Sequence, residues 1–176
     1  MLKDIIEKYP EDILGKDHYK KHSATTSFLL KFLDSAIRLH IQSHPTIPFA
    51  KEFLNSEYGK TEGYYIQGTR SDVESPFIFL GFQNPTTKEK LKEAIEKQDI
   101  KFLESCFEKI PVKKGDAFFV LGGLPHAIGE GVFMIEIMEP TDLVARIEFE
   151  KAGYTLLESA RFMNRGIDFA LSMFDY

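Results

Sequence analysis

The chain has 176 residues, 43% hydrophobic and 28% charged, with one cysteine and a net charge of −5. This is the profile of a soluble globular chain long enough to bury a core without staples. It excludes an internal disulfide and a thiolate-rich zinc site, argues against nucleic acid, which usually meets a basic face, while leaving room for a local basic pocket for a phosphorylated small molecule, and holds no apolar run near the roughly 20 residues of a membrane span.

The N-terminal segment "LKDIIEKYPEDIL" is too charged for a signal peptide, so the expected setting is reducing and cytoplasmic. Leu2, Ile5 and Ile6 show helical spacing, with Pro10 as a stop. "TSFLLKFLDS" and "IRLHIQSH" read as consecutive strands, the second closed by Pro45. "PFAKEFLNSEYG" reads as a short helix ended by Gly59. "GYYIQGT" and "PFIFLGFQ" are strands around a polar turn. Thr86 followed by Glu89 forms a capping-box pattern ahead of an amphipathic helix, and "DIKFLESCF" continues as a second one.

Short strands with glycine punctuation follow, through "DAFFVLGG", "HAIGEG", "VFMIEIME" and "DLVARIEFE". Many short strands with regular turns predict a mostly β domain, a sandwich or small barrel. The tail "ESARFMNRGIDFALSMFDY" returns to helical spacing with many large apolar groups. It is expected to pack back on the sheet, or to meet a flanking segment or a second copy.

Chemistry concentrates in three places. In "RLHIQSHP", His40, Gln42 and His44 share one strand face, because side chains at i, i+2 and i+4 point the same way. In "GKTEGYYI", Glu62 stands just before a strand. In "GDAFFVLGGLPHAIGEG", two glycines let the chain turn sharply before His126. Two imidazoles, a carboxylate and an amide oxygen suit Zn²⁺ or another borderline divalent cation. A buried histidine satisfied by a carbonyl is the plainer alternative for His126, and a partly exposed strand histidine is the reading for His40.

The last stretch resembles the second cupin motif, G-x5-P-x-G-x2-H, with Leu121 in the proline position. Taken with "FLLKFLDSAIRLHIQSHP", "YGKTEGYYI" and "VKKGDAFFVLGGLPHAIGEGVFMIEIMEPTDLVARIEFE", it resembles the type I phosphomannose isomerases (mannose-6-phosphate isomerases), over roughly residues 26 to 150. The resemblance implies a zinc-dependent cupin that interconverts mannose 6-phosphate and fructose 6-phosphate. It places the zinc ligands at Gln42, His44, Glu62 and His126. Arg146 falls in the S-D-x3-R motif, with Thr141 in place of the serine, and Lys60 and Glu136 match positions lining the pocket. In that role Glu136 carries the proton, Arg146 holds an oxyanion or the phosphate, and Lys60 does either or steadies Glu62.

Plainer alternatives stand beside these. Glu136 alternates with Ile135 and Ile137 as a solvent-facing strand residue would, Arg146 and Glu148 could form a surface pair, and Lys60 could be a solvated loop lysine. The family's tryptophan-bearing N-terminal stretch and second cupin-like half have no counterpart here. The expected architecture is a cupin-type β-barrel (jelly roll) over 26–150 with a helical insertion near 86–107. A helical lead-in over 1–25 and a helical tail over 151–176 flank it. The expected function is isomerisation of a hexose 6-phosphate; the alternative is a metal-binding cupin module without isomerase activity.

Overall fold

The structure, a computed structural model, describes residues 1–84 and 86–176. Three short helices lead: α1 (Leu2–Lys8), α2 (Pro10–Leu14) and α3 (Lys16–His22). Pro10 starts α2 rather than ending the helical region, because a first-turn N–H has no intrahelical partner to lose. Then come β1 (Leu29–Asp34), β2 (Gln42–Ser43), α4 (Ile47–Phe53), β3 (Glu62–Thr69), β4 (Phe77–Leu80), α5 (Lys88–Lys97) and α6 (Ile100–Ser105). The second half holds β5 (Ile110–Pro111), β6 (Ala117–Val120), β7 (His126–Ile128), β8 (Val132–Met138), β9 (Ala145–Arg146), β10 (Glu150–Lys151), β11 (Tyr154–Thr155) and α7 (Ile167–Leu171). Helix α5 begins one residue later than the capping pattern suggests: Thr87, not Thr86, accepts the Lys90 N–H.

Strands make up 24% of the chain, so the class is mixed helix and sheet rather than mostly β. A four-stranded sheet runs β1-β8-β3-β6 and a five-stranded sheet runs β5-β4-β7-β2-β9, with antiparallel pairing throughout. Among the described residues no ladder joins the two, so the strand pairing does not by itself establish the expected cupin-type barrel. The chain between β1 and β2 passes from one sheet to the other without ladder pairing, and β2 and β9 are only two residues long.

The period of two sorts each strand between layers. Tyr64, Ile66, Val120 and Met134 of the four-stranded sheet pack against Ile78 and Ile128 of the five-stranded one. On the far side of the five-stranded sheet, Ile41, Phe79, Ala127, Ala145 and Ile147 meet Leu91, Ile95 and Leu103 of α5 and α6. The tail joins this second core: Ala170, Leu171, Met173 and Phe174 are buried in it. The C-terminal apolar groups thus pack back on the body.

The pattern at residues 38–41 predicts strand, yet a side-chain network holds them in place of a ladder. Glu148, 1% exposed, accepts two bonds of 2.6 Å from Arg38 and a third of 2.6 Å from the Ile41 N–H. Arg38 also reaches Glu104 at 2.7 Å, and Ile147 N–H donates to the Ile41 carbonyl at 3.0 Å. Glu148 is therefore no surface partner of Arg146. It is the anchor that sets β2 beside β9 and brings Gln42 opposite Arg146.

Removing one partner of a buried ion pair strands the other, at a cost of about 3–5 kcal/mol. Glu148→Leu is expected to lose about that much in urea unfolding, and Arg38→Met combined with it to recover most of the loss.

Candidate metal centre

Three chain segments meet at one mouth of the space between the sheets, and backbone contact makes the meeting close. Pro45, just after β2, offers its carbonyl to the Lys60 N–H at 3.0 Å, and the His44 carbonyl accepts the Gly123 N–H at 2.8 Å. A Cβ on Gly59 or on Gly122 would stand 2.6 Å from the Pro45 carbonyl oxygen. Only glycine lets the two loops approach this strand end. Gly59 serves that approach rather than ending α4, which closes earlier at Leu54.

The loops deliver a cluster of buried donors. His44, Glu62 and His126 are each no more than 1% exposed, and one ligand atom from each lies within 4.8 Å of the others. His44 Nε2 is 3.1 Å from Glu62 Oε1, and His126 Nε2 is 3.6 Å from Glu62 Oε2. Each imidazole donates its Nδ1–H to a backbone carbonyl at 2.9 Å, His44 to Leu143 and His126 to Leu124. A carbonyl only accepts, so the neutral ring carries its lone pair on Nε2, aimed into the cluster. The Gln42 amide reaches His126 Nε2 at 3.3 Å. Turning that amide by 180° puts an oxygen in the same place.

The electrostatics leave a cation-shaped need. Burial holds both imidazoles below the usual histidine range, His126 at about 4. Burial alone would raise the Glu62 carboxyl, but a protonated His44, through its hydrogen bond and charge, and then the charges of His126 and Lys60, hold it far below the carboxylate range. With its Nδ1–H given to Leu143, neutral His44 presents Nε2 as a second acceptor 3.1 Å from Glu62 Oε1; Nε2 has no hydrogen-bond partner among the described residues, and Oε1 has only the ion pair with Lys60 Nζ, also at 3.1 Å. Buried acceptors facing one point fit a shared divalent cation.

Of the other sequence-predicted residues, Lys60 stands directly against this point. Lys60, 6% exposed, brings Nζ to 3.1 Å from Glu62 Oε1 and is not a solvated loop lysine. Glu136, 5% exposed, faces inward on β8, opposite Tyr64, and is not a solvent-facing strand residue. Arg146 shares a face with Gln42 and, one strand on, with His126, and donates to the Ala160 carbonyl at 3.0 Å. His40 is half-buried two residues before Gln42, and is no member of the three-residue cluster.

Sequence reasoning missed two neighbours. Tyr64 donates its hydroxyl to Glu62 Oε2 at 2.7 Å, and Lys31 Nζ lies 3.3 Å from Glu136 Oε1. A lysine alternating with leucines in "FLLKFLD" was the available signal for Lys31.

A two-sheet antiparallel domain with a buried His–Glu–His cluster at one mouth is the class that fold and site define. No family model matches the chain. Sequence relatives do. The chain is 37% identical over 119 residues to a mannose-6-phosphate isomerase of Bacillus subtilis, covering 68% of this chain and 36% of the relative. It is 33% identical over 164 residues to the mannose-6-phosphate isomerase of Streptococcus mutans, covering 90% of this chain and 49% of the relative. Among solved structures, mannose 6-phosphate isomerase from Bacillus subtilis superposes with a TM-score of 0.69 at 23% identity, over 89% of this chain and 49% of that one. A variant of phosphomannose isomerase from Salmonella typhimurium does so with 0.66 at 19% identity, over 99% and 60%. The chain belongs with the mannose-6-phosphate isomerases, and it spans about half or less of the length of the curated relatives it matches.

Two outcomes test the cluster. His126→Ala and Glu62→Ala are each expected to abolish retention of a divalent cation in equilibrium dialysis, while His40→Ala retains it within about threefold, as expected for a residue outside the donor set. In the metal-free protein, folded His126 stays neutral down to about 4, whereas an unfolded imidazole takes up a proton near 6.5. Between these values the unfolded state binds more protons, so stability rises with pH and acid destabilises. Glu62 adds the same sign below its ordinary 4.5; Glu136, whose carboxyl burial raises, works in the opposite sense above 4.5. With both imidazoles outweighing Glu136, the melting temperature of chelated protein should fall from pH 7 to 4.5, less steeply in His126→Gln.

Proposed function

We propose that the chain carries the metal site of a zinc-dependent aldose–ketose isomerase that interconverts mannose 6-phosphate and fructose 6-phosphate, built on a cupin-type jelly roll and working in the cytoplasm. The observation that carries this reading is the convergence of buried acceptor atoms on His44, Glu62 and His126, with His44 Nε2 left without a hydrogen-bond partner, in a chain related to mannose-6-phosphate isomerases. Imidazole, carboxylate and amide donors without thiolate suit zinc, with Gln42 as the fourth ligand. Bound there, the ion would supply a Lewis acid and a template for the open-chain sugar.

The rest of the chemistry falls to the chain's own side chains. Isomerisation moves a proton between C1 and C2 of the sugar. Glu136 suits that transfer. Burial first, then the nearby charge of Glu62, raises its carboxyl above the usual carboxylate range, the direction that favours proton transfer by a glutamate. Lys31 keeps the glutamate from rising further. Lys60 holds Glu62 in place and faces the developing oxyanion. Arg146 stays charged although burial lowers its pKa, and its planar fork suits the phosphate or an enediolate oxygen.

The second reading, a metal-binding module without isomerase activity, draws support from length: the matched relatives extend well beyond the region shared with this chain. A coupled assay for fructose 6-phosphate formation, with and without chelator, decides between them. Chelator-sensitive turnover is expected; zinc retained without turnover selects the module. Glu136→Gln should keep zinc and lower kcat by about 10²–10⁴-fold. Arg146→Ala should also keep zinc and lose turnover, and unchanged turnover would remove it from the mechanism.

A further inference from the structure

The two sheets differ in what covers their outer faces. On the five-stranded sheet, Ile41, Phe79, Ala127, Ala145 and Ile147 lie under α5, α6 and α7. On the four-stranded sheet, the outward residues are just as apolar and nothing among the described residues covers them. Phe119 is 78% exposed and Phe32 66%, with Leu30, Tyr65, Phe133 and Ile137 each between 39% and 49%. An antiparallel sheet facing water ordinarily alternates to polar residues on that side. Here the alternation is reversed along the site-bearing stretch: Glu62, Tyr64 and Glu136 point in with Met138, while Tyr65, Ile135 and Ile137 point out.

We propose that this face is an interface between two copies of the chain, packed sheet on sheet about a two-fold axis. Three observations select a second copy. The first is area. At about 100 Å² each, on a scale where a whole aromatic side chain is about 150–250 Å², the six residues expose about 600 Å². A pair of copies then buries about 1,200 Å² before any rim is counted, the threshold of stable specific interfaces.

The second observation is charge. The chain carries −5, so two copies repel over most of their surface. The centre of this face carries no charged side chain, and its charges sit at the ends: Asp34, paired with Arg70 at 2.9 Å, and Glu139, which accepts the Thr61 N–H. That is the apolar centre and polar rim of an interface. The third is shape. The face holds a hollow of about 490 Å³ between Phe28 and the strands, floored by Tyr65, Ile135 and Ile137. A self-complementary pairing presents each copy's aromatic side chains to the other copy's hollow, the isologous arrangement that closes at two.

The mass in solution tests this, using the full chain. Light scattering across about 1 to 100 µM should give twice the 20.2 kDa of one chain at the upper end. Phe32→Lys combined with Phe119→Lys should weaken association by about 100-fold or more, with the circular dichroism spectrum and cation retention unchanged. Should that variant fail to fold, Phe119→Ser alone should weaken association at least about tenfold. A monomer at every concentration, including one whose own N-terminal helices cover the sheet, overturns the proposal. So does a dimer indifferent to these substitutions, or an open series of larger species.

Discussion

A carboxylate taken out of water loses several kcal/mol of hydration, and the site is organised by how Glu62 recovers it. Tyr64 donates a hydroxyl from the same strand, and Lys60 brings an ammonium from the loop before it. The neutral imidazoles of His44 and His126 arrive from the other sheet with Nε2 lone pairs toward the carboxylate, and stabilise it only through a cation held between them. Burial and the Glu62 charge hold the Tyr64 phenol well above its ordinary range, so it remains a donor. One buried charge therefore draws together groups from β3, β7 and the end of β2. The acceptor atoms left over at its centre are the capacity to bind a cation.

That arrangement needs tolerances a side chain alone cannot set. The Pro45 carbonyl is the fixed point: Lys60 donates to it, and Gly59 and Gly122 come too near it to carry a Cβ. On the opposite side of the strand, the Arg38–Glu148 pair fixes the chain four residues before Gln42. The stretch 42–44 is thus held from both ends. One hold is backbone contact admitted by glycine, and the other is a buried ion pair standing where ladder hydrogen bonds would otherwise be.

The sequence was most legible where one physical rule acted alone. β1, β3 and β8 follow the period of two, and β3 and β8 are long enough for the pattern to stand out. The cluster was legible because imidazole, amide and carboxylate are costly in apolar surroundings and so stand out in "IQSHP" and "GKTEGYYI". Legibility failed where a distant partner decided the outcome. Nothing near Arg38 in sequence announces Glu148, 110 positions on, and without that partner residues 38–41 read as strand. Lys31 failed the same way, since its partner Glu136 lies on β8. Closure of a barrel depends on edge strands pairing across sheets, which local pattern does not encode.

β3 and β8 carry two surfaces at once. Residues 62, 64, 136 and 138 face the cluster, and residues 63, 65, 135 and 137 face outward. Successive side chains on a strand point to opposite faces, so one backbone is the shared wall of the polar site and of the bare apolar face. The carboxylates of Glu62 and Glu136 can be no better placed than that wall is rigid. β3 has a register shift between Ile66 and Gly68, beyond the stretch bearing Glu62 and Tyr64. The site-bearing segment keeps a regular ladder to β8 and to β6, while the irregularity lies toward the other end of the strand. Whatever covers the outer face therefore rests on the regular part of the ladder, directly behind the carboxylates of Glu62 and Glu136.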